Sequence, residues 1–309
     1  MTRAIHIWRL SDGRAGHDNQ SLGLVDALSR LHRVDVLTVN VNGGWHGAQQ
    51  VLSQRTPRPA VIIGAGHATH GALVIGAWRH HARSIVLMNP SLPCALFDLC
   101  IIPEHDGVRP RPNVMQSLGA LNRIQANTQR DPTLAVILLG GPSRHYPWEQ
   151  DALLKQILEL VGARPSLQWL IASSPRTPAQ TMHALGSLES VQLVRFEDTS
   201  ADWLPDKLAQ ASLIWVTEDS MSMAYEALSS GAPTGLLHVS AQAGVDDLGQ
   251  SEVRPANRFA AAIHTLRRSG RIIPTQQWLA GQERAINTQP LREADRCAQQ
   301  ILERWPDLS

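Results

Sequence analysis

The sequence predicts an α/β protein made of two domains, each built on a parallel sheet. Short apolar runs alternate with segments of helical period along the chain, which is typical of buried strands joined by covering helices. The length of 309 residues corresponds to about two domains. The alternation stops at a polar stretch, QANTQRDP at 125–132, and then starts again. We therefore expect two Rossmann-like, doubly wound domains, 1–126 and 127–309.

The individual elements follow from the period of the apolar residues. Runs of four to seven mainly apolar residues predict strands, and spacings of three and four predict helices. In the first half, we expect strands at 5–10, 34–39, 60–63, 84–88 and 99–102, with helices at 20–31 and 71–80. In the second half, we expect strands at 134–139, 168–172, 191–195, 213–217 and 236–239, with helices at 149–161, 177–185, 220–229 and, as a terminal helix, 291–305.

Composition excludes several classes of function. The chain has 28 basic and 27 acidic residues and a net charge of +1, so no whole-molecule field concentrates nucleic acid or an anionic membrane. The three cysteines form no CxxC pair, which favours a reducing compartment without structural zinc. The sequence shows neither an apolar signal-peptide core nor a run of 18 apolar residues, so we expect a cytoplasmic protein.

Ligands of parallel sheets bind at the carboxyl ends of the strands, so the loops there are the candidate sites. The first loop, SDGRAGHDNQ at 11–20, combines two turn-forming glycines, Gly13 and Gly16, with Asp12, Arg14 and His17. An acid, a cation and an imidazole in one loop suit proton transfer and substrate contact. The alternative interpretation is a capped turn with a solvated surface.

Two further loops of the first half are candidates for the same side of the site. Gly66 and His67 follow the third strand, but the loop lacks the third glycine and the later acid of a dinucleotide fingerprint, so an NAD site is unsupported. Glu104 and His105 precede Asp106 after the fifth strand, and such a trio suits a metal or proton transfer. A plain turn and a surface loop are the respective alternatives.

The second half offers three loops suited to an anion. Glycines and helix starts present N–H groups, and arginine adds a charged donor. The segment 217–233 carries a helix start, with Asp219 as a possible cap, and then a glutamate one turn later whose carboxylate can accept ribose hydroxyls. For each loop, a plain turn or a helix cap is the alternative. The candidate residues are Gly140, Gly141, Ser143, Arg144, Ser174, Arg176, Thr177, Ser220, Met221, Ser222 and Glu226.

The motifs together resemble a known family. Glu226 followed by Gly231-Ala232-Pro233 is similar to the donor-binding helix of GT-B glycosyltransferases, especially the lipid-linked N-acetylglucosaminyltransferase of peptidoglycan synthesis. The whole chain resembles the mitochondrial-fission, elongated-mitochondria family, whose bacterial members are described as glycosyltransferases. That resemblance rests on DGRAGH at 12–17 with NQ at 19–20, PEHD at 103–106, GGPS at 140–143, RTP at 176–178, and TEDS at 217–220 with Ser222, Met223 and Glu226.

The resemblance implies a GT-B fold, in which two domains face a cleft. It implies a metal-independent transfer of a sugar from a nucleotide sugar on the second domain to an acceptor on the first, and the chain has no Asp-x-Asp motif. No cofactor is expected, because the nucleotide sugar is the donor substrate. Asp12 is the favoured general base and His17 an acceptor contact. A lipid-linked or surface-glycan acceptor is consistent with the family, and so is peripheral association with the inner face of a membrane.

The chain also departs from the family pattern. His67-Ala68 replaces a basic pair, and Pro175-Arg176 replaces two arginines, which removes cations that would bind phosphate. Two alternatives to glycosyl transfer therefore stay open. One is a non-catalytic scaffolding protein on a GT-B shell, and the other is a nucleotide-sugar epimerase or hydrolase.

Overall fold

The computed structural model describes residues 4–41, 47, 49, 51, 53, 57–143, 146–239, 258–281 and 287–308. The chain divides into two compact units. Unit 1 comprises Met1–Arg123 and Arg292–Ser309, and unit 2 comprises Ile124–Leu291. Each unit is described by itself below.

Unit 1 is built on a parallel sheet with the strand order β2-β1-β3-β4-β5-β6 among its described residues. The predicted α/β class is confirmed here, and the sheet gains a strand, β6, that the sequence pattern did not indicate. The elements up to residue 123 are β1 Ile5–Ser11, α1 Ala15–Leu31, β2 Val34–Asn40, β3 Val61–Ala65, α2 His70–His80, β4 Arg83–Leu87, β5 Leu99–Pro103 and β6 Val114–Ser117.

Unit 2 has a second parallel sheet, with the order β12-β11-β10-β7-β8-β9 in the described residues. Its strand order reverses beside β7, as expected for a doubly wound sheet. The elements are β7 Asp131–Leu138, α3 Gln150–Ala163, β8 Gln168–Ala172, α4 Ala179–Gly186, β9 Val191–Val194, α5 Trp203–Gln210, β10 Ala211–Thr217, α6 Met221–Ser230, β11 Thr234–Leu237, α7 Arg258–Arg268, β12 Ile272–Ile273 and α8 Thr275–Leu279.

The central strands are buried on both faces of each sheet, which explains why strands such as β3 are continuously apolar. In unit 1, Ile7 and Ile63 pack on one face, whereas Trp8 and Ile62 pack on the other. Successive side chains of a strand point to opposite faces, so neighbouring residues enter different cores.

The terminal helix, α9 at Glu293–Arg304, belongs to unit 1. The sequence-based division placed it in domain 127–309, and the structure corrects that assignment. Cys297, Ala298 and Ile301 are fully buried in the core of unit 1, and Asp295 accepts hydrogen bonds from Arg30 of α1. An apolar stripe shows that a helix packs against something but does not specify its partner, so the nearest domain in sequence was a poor guide.

Helix α5 was also not expected from the sequence. It carries Pro205 in its first turn, where the missing proline N–H costs no helical hydrogen bond. Leu208, on the inner side of the same helix, is fully buried. None of the helices in the described part of the chain has the length and apolar character needed to cross a membrane.

The packing of α9 predicts that Ile301→Ala destabilises the protein. Ile301 is fully buried, so truncation should lower the free energy of unfolding by about 2–5 kcal/mol. Chemical denaturation measures the change. Glu303→Ala, at an exposed position of the same helix, is the matched control and should change stability by about 0.5 kcal/mol or less. Equal effects of the two substitutions would contradict the packing assignment.

Candidate functional site

The loop between β1 and α1 brings Asp12 and His17 into direct contact. Gly13 has φ +77°, a left-handed conformation that glycine adopts without strain. The resulting turn lets Asp12 Oδ1 accept the Arg14 N–H at 3.1 Å. Asp12 Oδ2 lies 2.8 Å from His17 Nδ1. The sequence-predicted pair is therefore held together, with the carboxylate bound to the loop backbone on one side and to the imidazole on the other.

The two side chains differ in exposure. The Asp12 side chain is 3% exposed and the His17 side chain 18%. Gly66, which follows β3, has φ +84°, and a Cβ there would collide with the His17 ring and with Asp12 Oδ2. Glycine at 66 is thus required both by backbone conformation and by the close approach of the pair.

A partly buried ion pair that the sequence analysis did not identify joins this loop to β1. Arg9 Nη1 donates to Asp18 Oδ1 at 2.6 Å, and Ser11 Oγ donates to Asp18 Oδ2 at 2.9 Å. Arg9 also donates to Ser21. Because Arg9 and Ser11 belong to β1 while Asp18 and Ser21 belong to α1, the network fixes the first turn of α1 to the strand. A basic residue inside a buried strand was the available signal.

Other histidines lie close to this pair. His70, at the start of α2, is buried and its Nδ1 is 3.0 Å from Ser91 Oγ. Burial lowers the pKa of His70, and the neighbouring His67 and His17 lower it further. The sequence indicated His67, which is exposed, but not His70. A lowered pKa favours the neutral imidazole at 70, so His70 does not place a positive charge beside the neighbouring loop.

The remaining first-half candidates lie in the same loop as the pair or follow another strand of the sheet. Arg14 and Gly16 are exposed beside the pair. Glu104 and His105 follow β5, which β4 separates from β3, and His105 Nε2 lies 3.9 Å from Asp106 Oδ1. Within the described residues, no group of three or more His, Cys, Asp or Glu side chains is arranged to hold a metal ion.

In unit 2, the Gly140–Gly141 loop is satisfied by side chains that follow β10. The Gly140 N–H donates to Thr217 Oγ1 at 2.8 Å, and the Gly141 N–H donates to Asp219 Oδ2 at 3.0 Å. A Cβ at either glycine would collide, at 140 with the Asp219 carboxylate and at 141 with the backbone of Arg176. The two amides that the sequence suggested for phosphate therefore have internal partners in this structure.

Arg176 contacts both the glycine loop and Asp219. Its Nη2 donates to Asp219 Oδ2 at 2.9 Å and its Nη1 to Gly141 O at 2.8 Å. The Asp219 side chain is completely buried, whereas Arg176 is 43% exposed. Asp219 Oδ1 is buried and has no hydrogen-bond partner. One carboxylate oxygen thus carries both contacts while the other has none, an arrangement that leaves part of the desolvation cost uncompensated.

Ser174 and Thr177 hold the loops together rather than capping a helix. Ser174 Oγ donates to Gly140 O at 2.9 Å, and Thr177 Oγ1 contacts the same carbonyl oxygen at 2.6 Å. Helix α4 begins later, at Ala179, after Pro178. The loops after β7 and β8 are therefore one hydrogen-bonded unit.

Helix α6 begins without a side-chain cap. Ser220 is the N-cap residue and forms no capping hydrogen bond. Asp219, for which the sequence left helix capping open, instead accepts hydrogen bonds from the Gly141 N–H and from Arg176. Met221 is buried and Ser222 is exposed in the first turn. Glu226, one turn later, is 7% exposed and has an interaction partner within the protein. Two further candidates belong to the loop between β7 and α3. The Ser143 N–H donates to Tyr146 O, and Arg144 lies outside the described residues.

A second carboxylate of this edge faces away from the glycine loop. Glu218 Oε2 is 3.0 Å from His238 Nδ1, and Glu218 Oε1 accepts the Val239 N–H at 3.2 Å. Burial raises the pKa of Tyr146 to about 12, with Glu218 and Asp219 acting in the same direction and Arg267 opposing them. Neither Tyr146 nor His238 was identified from the sequence, because only the fold brings them beside the β10 loop.

The lowered pKa of His70 predicts a pH-dependent contribution to stability. Below the ordinary pKa of 6.5, the unfolded chain binds a proton at His70 that the folded state resists, so the free energy of unfolding falls as the pH decreases. His70→Gln removes this term and should flatten the stability curve between about pH 8 and pH 5.5. Denaturant titrations at several pH values measure it. The difference at pH 8 reports packing alone, and parallel curves for both proteins would contradict the assignment.

Three comparisons place the chain among known proteins. The family model described as Mitochondrial fission ELM1 matches residues 15–305. An uncharacterized protein of Rickettsia prowazekii is 23% identical, with 74% of this chain and 82% of that protein covered.

Solved structures show the same fold at low sequence identity. The UDP-GlcNAc 2-epimerase of Neisseria meningitidis, solved bound to UDP-GlcNAc, aligns with a TM-score of 0.53 and 12% identity over 98% of this chain and all of that chain. MurG of Acinetobacter baumannii aligns with a TM-score of 0.53 and 11% identity over 98% of this chain and 99% of that chain. These similarities establish a GT-B-like fold with two parallel-sheet units. Since the family model spans nearly the whole sequence, the chain belongs to the Mitochondrial fission ELM1 family.

Proposed function

We propose that this protein is a glycosyltransferase that binds a nucleotide sugar on unit 2 and activates an acceptor hydroxyl on unit 1. The observation that carries the proposal is the convergence of Arg176, the glycine loop and the uncapped start of α6 at one sheet edge. Similarity of fold to nucleotide-sugar enzymes supports the proposal but does not assign the reaction.

The start of α6 and Arg176 are the proposed diphosphate site. Unpaired N–H groups and the helix dipole favour an anion at a helix N-terminus. Ser220 is half-buried there, Ser222 is exposed, and the partly exposed Arg176 is a charge-assisted donor. A chain with almost no net charge requires such local groups to hold a diphosphate.

Groups for the nucleoside lie on the same unit. Glu226 follows Ser222 by one helical turn, and we assign it to the ribose hydroxyls. A cavity of about 640 Å³ opens beside Ser174 and Thr177, with Met182, Leu193 and Arg195 in its walls. Its volume falls in the range of about 300–1,000 Å³ for small-molecule sites, and we assign it to the base.

His17 is the proposed general base. The sequence favoured Asp12 as the base and His17 as an acceptor contact. Because the His17 imidazole is more exposed than the buried Asp12 carboxylate, we assign the base to His17 and the orientation of its ring to Asp12. Because Asp12 contacts Nδ1 of His17, Nε2 is the ring nitrogen that takes the proton from the hydroxyl group of the acceptor. The Asp12 carboxylate then stabilises the imidazolium. The acceptor oxygen attacks the anomeric carbon while its bond to the diphosphate breaks, and the α6 N–H groups and Arg176 stabilise the leaving anion.

The acceptor is proposed by chemical class only. A lipid-linked or surface-glycan hydroxyl fits the family, as does a cytoplasmic location. Exposed Arg14 and His67, together with Glu104 and His105 on the same edge, are the side chains proposed for acceptor contact.

Titration with UDP by calorimetry tests the donor site. Arg176→Gln removes a charged donor to the diphosphate and should weaken binding by about tenfold. Glu226→Gln should weaken it by a similar factor if the carboxylate binds ribose. Lys155→Gln, at an exposed cation of α3, is the matched control and should leave affinity unchanged.

Thermal-shift measurements and identification of products separate the alternative functions. A nucleotide at about 100 times its Kd stabilises the folded state by about 2.7 kcal/mol, so absence of any thermal shift with nucleotides or nucleotide sugars would favour the scaffolding alternative. Binding together with a free sugar or an epimerised nucleotide sugar as product would favour the hydrolase or epimerase alternative.

The contacts of Asp219 predict that removal of its negative charge increases the affinity for UDP. Its carboxylate occupies the Gly141 N–H and Arg176, the groups suited to phosphate, so a bound diphosphate must compete with it. Asp219→Asn keeps a carbonyl oxygen for Gly141 but removes the negative charge, and UDP should bind about tenfold more tightly. Asp206→Asn, an exposed acid of α5, is the control. Weaker binding by Asp219→Asn would show that Asp219 supports the site instead.

A further inference from the structure

Two of the three cysteines lie side by side in unit 1. Cys94 begins a single turn of 3₁₀ helix, Cys94–Leu96, and Cys100 is the second residue of β5. Cys100 Sγ donates to Cys94 O at 3.8 Å, and the side chains of the two cysteines also form a hydrogen bond. Both side chains pack in the apolar cluster that contains Trp8 and Ile62. The two thiols are therefore neighbours in the folded chain.

The turn that carries Cys94 is held in place by contacts of its backbone. Asn113 Nδ2, just before β6, donates to Cys94 O at 2.7 Å and to Phe97 O at 2.9 Å. Phe97 is buried, and its ring meets the His70 ring edge-on with the ring centroids 5.8 Å apart. These contacts fix the position of Cys94 relative to β5.

The two thiols differ in their access to solvent. Cys94 is half-buried, whereas Cys100 is fully buried. Burial raises the pKa of the Cys100 thiol to about 12, a negative charge on Cys94 and the hydrogen bond with its side chain act in the same direction, and Arg111 opposes them. Since the thiolate is the reactive form of cysteine, Cys94 is the thiol that reacts first with an oxidant from solution.

We propose that Cys94 and Cys100 are a site of reversible oxidation by hydroperoxides, at which the two thiols form a disulfide. The Cys94 sulfur attacks one oxygen of the hydroperoxide, the O–O bond breaks, and Cys94 becomes a sulfenic acid as water or an alcohol leaves. The Cys100 sulfur then attacks the Cys94 sulfur, and the sulfenic oxygen leaves as water with the proton of the Cys100 thiol. The two sulfurs lose two electrons in total, and the hydroperoxide gains them.

The disulfide joins the start of β5 to the segment that leads into it from β4. That segment, residues 88–98, also carries Ser91, whose Oγ lies 3.0 Å from His70 Nδ1. Oxidation therefore constrains a part of unit 1 that contacts the buried histidine of α2. In a reducing compartment the pair is a dithiol, and the disulfide forms only under oxidative conditions. The inference is independent of the proposed nucleotide site.

Peptide mass spectrometry tests the proposal on the full-length protein. After treatment with hydrogen peroxide, the free thiols are alkylated in denaturant and the protein is digested with trypsin. Residues 94–100 contain no Lys or Arg, so both cysteines stay in one peptide. That peptide should lose two hydrogen atoms and resist alkylation until dithiothreitol is added. Cys297, which is buried in the other core of unit 1, is the internal control and should be oxidised at least about tenfold more slowly.

Two variants separate the roles of the thiols. Cys94→Ser should leave Cys100 as a free thiol after the same treatment. Cys100→Ala should let the sulfenic acid accumulate at Cys94, where dimedone should label it at least about tenfold more than in the wild type. Circular dichroism verifies folding, and the wild-type measurement preserves the test if Cys100→Ala does not fold.

Three results would overturn the proposal. The first is oxidation of Cys94 to a sulfinic acid without a disulfide to Cys100. The second is a disulfide between two chains, which a gel without reductant detects. The third is oxidation of Cys94 and Cys297 at equal rates, which would show that the neighbouring thiol and the partial exposure of Cys94 have no effect.

Discussion

A buried carboxylate within two residues of a strand end organises each of the two candidate edges. Asp12 follows β1 and binds a loop N–H and the His17 imidazole, whereas Asp219 follows β10 and binds a loop N–H and the Arg176 guanidinium. Asp12 closes its own turn between β1 and α1, whereas Asp219 joins the end of β10 to the loops that contain Gly141 and Arg176. Because a buried charge must be paired to be tolerated, these contacts restrict the conformations that the loops can adopt.

The difference between the two carboxylates matters chemically. Asp12 has a partner at each oxygen, so its imidazole is oriented and the arrangement is complete. Asp219 has both partners on one oxygen and none on the other, and its arginine partner is partly exposed. The first arrangement suits a fixed proton acceptor, while the second suits a group that changes partners when an anion arrives.

Much of the fold was predictable because it depends on local periodicity. The apolar runs predicted strands such as β1 and β8, and the loops at their carboxyl ends contain the residues that the sequence indicated. The short strands β6 and β12 lack a distinctive pattern, and α5, with eight residues, is too short to show a clear helical period. The partners of Asp219, the network of Arg9 and Asp18, and the burial of His70 depend on contacts between distant segments, which single-sequence patterns do not specify.

The return of α9 to unit 1 has a consequence for how the protein is made. The chain leaves unit 1 after Arg123 and re-enters it at Arg292, so unit 2 is topologically an insertion within unit 1. During vectorial synthesis, the ribosome completes the whole of unit 2 before Cys297, Ala298 and Ile301 become available. Part of the core of unit 1 therefore stays uncovered until α9 is synthesised, and a truncation that removes α9 would affect the unit whose synthesis began first.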